Sequence, residues 1–98
     1  MFNKIKQLKE LRGRANEMRS MLSQETVHAE GLGGKVSIVM DGNQDVLSVS
    51  VDPELLNPEH QAHLEQALRE VMNDAVKKSQ RLMATKIQGM GGLNIPGM

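Results

Sequence analysis

Residues 31–53, Gly31-Leu32-Gly33-Gly34-Lys35-Val36-Ser37-Ile38-Val39-Met40-Asp41-Gly42-Asn43-Gln44-Asp45-Val46-Leu47-Ser48-Val49-Ser50-Val51-Asp52-Pro53, decide the fold class. Val36, Ile38 and Met40 alternate with Lys35, Ser37 and Val39, and Val49 and Val51 alternate with Ser48 and Ser50. A period of two puts alternate side chains on opposite faces of an extended chain, so both runs read as half-buried strands. Asp41-Gly42-Asn43 between them is a hairpin signal. Upstream, Thr26-Val27-His28-Ala29 reads as a weaker first strand, and Gly31-Leu32-Gly33-Gly34 supplies the backbone freedom for a turn. Pro53 ends the ladder because it has no N–H to donate. The result is a three-stranded antiparallel meander with one apolar face.

On either side the period changes to that of a helix. Leu8, Leu11, Ala15, Met18 and Leu22 recur at spacings of 3, 4, 3 and 4, an apolar seam that predicts a helix over residues 2–23. Gly13 faces outward in it, at a cost of about 1 kcal/mol relative to Ala. After the sheet, Asn57, Pro58 and Glu59 form a start signal of N-cap, first-turn proline and first-turn acid. Leu64, Leu68, Val71, Met72, Ala75, Val76, Leu82, Met83 and Ile87 carry a second helix from there to about Gln88. Residues 1–88 thus read as one α-β-β-β-α domain of the α+β class. Residues 89–98, rich in Gly and Met with one Pro, read as a flexible tail.

Length turns this pattern into a statement about assembly. A compact chain of this size has a radius of gyration near ~13 Å, whereas the two helices would measure about 33 and 45 Å at 1.5 Å per residue. The second helix and part of the first are therefore expected to project as arms from a homodimer centred on its sheets. Antiparallel arms would bring the start of the first helix near the end of the second.

Composition excludes several functions. The 98 residues include no Cys, and the aromatic content is Phe2 alone. Disulfide frameworks, thiolate metal sites and Cys nucleophiles are thereby excluded, as are aromatic platforms for stacking single-stranded bases. No apolar run approaches the ~20 residues needed to cross a bilayer. MFNKIKQLKE lacks the apolar centre of a signal peptide, so a cytoplasmic location is expected. Gly31-Leu32-Gly33-Gly34-Lys35-Val36 lacks the spacing and following helix of a phosphate loop. His60 and His63 lack further metal ligands, and Ser48 and Ser50 lack an activating base. No enzyme, cofactor, membrane or small-molecule substrate is implied.

Net charge is zero, with 12 Lys plus Arg against 12 Asp plus Glu, but the charges are segregated. Residues 1–24 carry six basic residues against two acids (net +4), residues 25–74 two against ten (net −8), and residues 75–98 four against none (net +4). Such asymmetry concerns partners more than fold.

The order and spacing of several segments resemble the YbaB/EbfC family of bacterial nucleoid-associated proteins over nearly the whole chain. These segments are the Met- and Lys-rich first helix, the turn from Gly31 to Lys35 leading into Val36-Ser37-Ile38-Val39-Met40-Asp41-Gly42-Asn43, then Val49-Ser50-Val51-Asp52-Pro53-Glu54-Leu55-Leu56, Asn73-Asp74-Ala75 and the Gly/Leu/Pro tail. The resemblance implies a tweezer-like homodimer that grips duplex DNA with helical arms in the nucleoid and influences nucleoid organisation and gene expression. The DNA-contacting residues are chosen from the charges of this sequence. Lys9, Arg12, Asn16 and Arg19 form a stripe beside the apolar seam, suited to phosphates and blind to bases. Lys77, Arg81 and Lys86 have no acid four residues upstream, unlike Arg14 after Glu10 and Lys78 after Asp74, which read as intrahelical pairs. With Lys4, the candidate set is Lys4, Lys9, Arg12, Asn16, Arg19, Lys77, Arg81 and Lys86. No base-reading helix follows a short turn, so low sequence specificity is expected. The alternative is a non-enzymatic protein-interaction clamp that uses the Met-rich, coiled-coil-like arms as its contact surface.

Overall fold

The computed structural model describes residues 2–89, with side chains from residue 4 onward. The expected flexible tail lies outside them except for Gly89, which closes the second helix. Helix α1 spans Phe2–Ser23, strands β1, β2 and β3 span Thr26–Gly31, Val36–Asp41 and Val46–Val51, and helix α2 spans Gln61–Gly89. The strands form an antiparallel sheet in the order β1-β2-β3. α2 lies along one face of it, giving two layers.

The core forms where the two periodicities meet. Val36, Ile38 and Met40 from β2, with Ala29 from β1, pack against Ala67, Val71 and Ala75 of α2, and Leu55 closes one end. Each fully buried Val, Ile or Met side chain contributes about 1.5–3 kcal/mol through apolar surface removed from water. Small residues at 67 and 75 let α2 lie close to the sheet. Gly31 extends this fit, because a Cβ there would stand 2.9 Å from Cγ2 of Val71.

The first turn uses its glycines as expected: Gly33 and Gly34 have φ of 67° and 91°, and Leu32 joins them at 53°. In the second turn only Gln44 is left-handed, at 68°. Gly42 has a different role there, since a Cβ would come within 2.9 Å of Cδ2 and the carbonyl oxygen of Leu22. The N-cap at Asn57 forms as read, its side chain accepting from the Glu59 N–H at 3.1 Å. The turn it caps, Pro58–His60, is a 3-10 turn, and α2 proper begins at Gln61.

Three expectations are corrected. β3 is half-buried only at Val51, which packs against the core: α2 covers β1 and β2, leaving Val46 44% and Val49 53% exposed on the same sheet face as Ile38 and Met40. A bulge beside Met40 adds Leu47, 53% exposed, to this uncovered edge. Second, α2 is no arm. Ala67, Val71, Ala75 and Ser79 are buried along it, and Lys78 donates to the His28 carbonyl at 2.8 Å. Only α1 projects, which gives a radius of gyration of 18.7 Å and a long dimension of 64 Å. Third, α2 runs antiparallel to β1, so its last turns reach the base of α1, where Lys86 pairs with Glu25. The first turn of α1 is at the opposite end of that helix.

Candidate nucleic-acid interface

α1 makes no extended contact with the sheet or with α2. From Lys4 to Glu17 every side chain is exposed, and among the described side chains of the helix Leu22 is the buried one. Lys4, Lys6, Lys9, Arg12, Arg14 and Arg19 are all exposed, and none is held in an ion pair among the described residues. Lys9, Arg12, Asn16 and Arg19 share the stripe their spacing predicts. The expected pairing of Arg14 with Glu10 does not form, so Arg14 adds to the free positive surface. Simple i, i+4 spacing hid it, because a solvent-exposed pair gains only a few tenths of a kcal/mol and need not close.

The body holds its cations differently. Lys35 pairs with Glu54 at 3.2 Å, Lys78 with Asp74 at 3.2 Å as its spacing predicts, and Lys86 with Glu25. Lys77 and Arg81 are exposed on α2 without an ion pair among the described residues, whereas Lys86 is half-buried. The predicted set is thus divided. Lys4, Lys9, Arg12, Asn16 and Arg19 lie together on the projecting helix, and Lys77, Arg81 and Lys86 lie on the far part of α2.

The electrostatics of α1 favour anions over its own stability. The first turn carries no acid and the last no base. Lys4 therefore stands at the positive end of the helix dipole, where a cation costs about 0.3–1 kcal/mol. The first N–H groups of a helix have no partner within it, and with Lys4 and Lys6 beside them this end of α1 suits phosphate oxygens. Surface depressions offer less. The one taking in His63, about 190 Å³, is lined by Gly31, Leu32, Gln66, Ala67 and Glu70. Among the described residues no three His, Cys, Asp or Glu come together to hold a metal ion, and no helix is long and apolar enough to cross a membrane.

Residues 1–93 match the model of the YbaB/EbfC DNA-binding family. The chain belongs to this family. A nucleoid-associated protein of Syntrophobacter fumaroxidans is 39% identical to this YbaB/EbfC chain over 98 residues, spanning 99% of it and 89% of the relative. One from Desulforamulus reducens is 32% identical, covering 100% of this chain and 94% of its own. The crystal structure of an uncharacterized protein from Helicobacter pylori shares the fold, with a TM-score of 0.73 at 19% identity over 87% of this chain and 89% of that one.

Proposed function

We propose that this YbaB/EbfC protein is a nucleoid component that binds duplex DNA as a homodimer through α1, with low sequence specificity, and thereby influences nucleoid organisation and gene expression. The observation that carries this reading is the arm itself, a helix leaving the body with six exposed cations and no ion pair among the described residues. Each cation neutralises a phosphate and releases counterions without reading a base. Lys4, Lys9, Arg12, Asn16 and Arg19 form the gripping surface, with Lys6 and Arg14 beside them. Lys77, Arg81 and Lys86 supply a second, weaker basic region at the base of the arm. The names of the relatives support the nucleoid setting.

Uncovered apolar surface supports the dimer. Val46, Leu47 and Val49 on β3 are each about half exposed, and the strand is an open edge. Open apolar edges invite pairing with another chain.

Fluorescence anisotropy of a labelled duplex of unrelated sequence, titrated at several salt concentrations, tests the reading. Affinity should fall with a log–log slope of about −0.9 per phosphate contacted, and Arg12→Glu with Arg19→Glu should abolish binding. Ile5, Leu8 and Leu11, exposed by 54%, 60% and 62%, favour a second reading as a clamp for a protein partner. Absence of DNA binding at low salt by an intact dimer would select that alternative.

A further inference from the structure

We infer that the β2–β3 turn, through Gly42 and Asn43, is a positioning device that fixes the direction of α1 relative to the body. The inference rests on the reading of α1 as the DNA arm for its functional consequence only. The attachment itself stands on geometry. α1 is exposed from Lys4 to Glu17, and beyond that two residues of the β2–β3 turn hold it. Leu22, 2% exposed, sits on Gly42 so closely that no Cβ fits between them. The Gly42 N–H is shared between the carbonyls of Leu22 at 2.9 Å and Glu25 at 3.1 Å. One residue further on, Nδ2 of Asn43 donates to the Arg19 carbonyl at 2.8 Å, nearly one helical turn up the arm.

Two holds one turn apart define an axis, where a single hold would leave a pivot. The turn supplying them is itself rigid. The buried Asp41 carboxylate accepts the N–H groups of Asn43 at 2.8 Å and Asp45 at 3.0 Å. The Asp41 carbonyl takes the hydroxyl of fully buried Ser79 on α2 at 2.8 Å. Arm, hairpin and α2 are therefore joined in series, Arg19 to Asn43, Asn43 to Asp41 and Asp41 to Ser79. The leverage is large. Arg19 to Phe2 is about 26 Å of helix at 1.5 Å per residue, so a tilt of about 10° moves the tip by roughly 4–5 Å. That is longer than a hydrogen bond to a phosphate oxygen.

The test uses the full chain, whose lack of cysteine permits site-directed labels. Gly13→Cys places a nitroxide on the arm, where a Cβ meets nothing within 4 Å, and Glu65→Cys places one on the exposed face of α2. Labelled chains are diluted into excess unlabelled protein, and the intrachain distance distribution is measured by pulsed electron resonance without DNA. Asn43→Ala removes the upper hold without adding charge at a half-exposed position. Gly42→Ala disturbs the lower hold at greater risk to folding. We expect Asn43→Ala to widen or displace the distribution while leaving the thermal midpoint of the body close to that of the parent. DNA affinity should fall about threefold to tenfold, as expected when a loosened element must be ordered on binding, with the salt slope unchanged because no cation is lost. A distribution identical to the parent's in Asn43→Ala overturns the anchor, whatever DNA does. A widened distribution with undiminished affinity overturns the positioning role in DNA binding. If the parent binds no DNA, the arm reading fails separately and the distance measurement still decides the anchor.

Discussion

Gly13 stands in the middle of the bare part of α1, and a methyl group there would touch nothing within 4 Å. No contact among the described residues requires glycine at this position. Gly13→Ala should therefore raise helicity and stability by up to about 1 kcal/mol, through lower backbone entropy in the unfolded chain. Circular dichroism melting of the two proteins would check this, and an unchanged or lower midpoint would mean that the arm bends or packs at Gly13 in the assembled protein. Gly42 shows the converse. The sequence Asp41-Gly42-Asn43 announced a hairpin, and a hairpin forms, but the left-handed residue is Gln44. Gly42 is needed because Leu22, twenty positions earlier in the chain, lands on it. A local pattern reveals a turn; it carries no signal for a contact with a residue so distant in sequence.

At the scale of elements, β2 and β3 were both legible as strands, but the exposure of β3 was not. Both alternate apolar and polar residues, yet Ile38 is 1% exposed and Val49, its neighbour across the ladder, is 53% exposed. Period-two alternation states which face is apolar, and coverage depends on whether a single helix reaches the edge of the sheet. The same gap explains α2. Its length predicted an arm, but the small residues Ala67 and Ala75 let it lie flat on β1 and β2 instead. Ala75, fully buried, is the sharpest test of this packing: Ala75→Leu should force the layers apart and cost about 1–3 kcal/mol, measurable by urea denaturation. An effect within a few tenths of a kcal/mol would show that the layer tolerates separation. α1 was the better-read helix. Its basic stripe lies where the spacing placed it, and only Arg14 was assigned a partner it does not take.

For the molecule as a whole, neutrality is misleading because charge and distance are separated together. At physiological salt the Debye length is about 8 Å, far shorter than the 64 Å long dimension. The acidic body therefore does not cancel the field at the tip of α1, and an approaching anion meets the arm locally as a cation. In the proposed dimer, two such arms act on one duplex, and the second contact is made at the effective concentration set by the first. Linked binding of this kind raises affinity by about 10²–10⁴ over a single arm. Val49→Lys places a charge on the open face of β3 without touching α1, and because Val49 is half exposed the fold should survive it. Light scattering should then report a monomer with parental secondary structure. In the anisotropy titration that monomer should bind DNA at least about a hundredfold more weakly, with about half the parental salt slope, since half the phosphates are contacted. A monomer that keeps the parental slope would place all the phosphate contacts on one arm. A dimer that survives Val49→Lys would move the interface away from β3, leaving the exposed Ile5, Leu8 and Leu11 of α1 as the surface through which two chains meet.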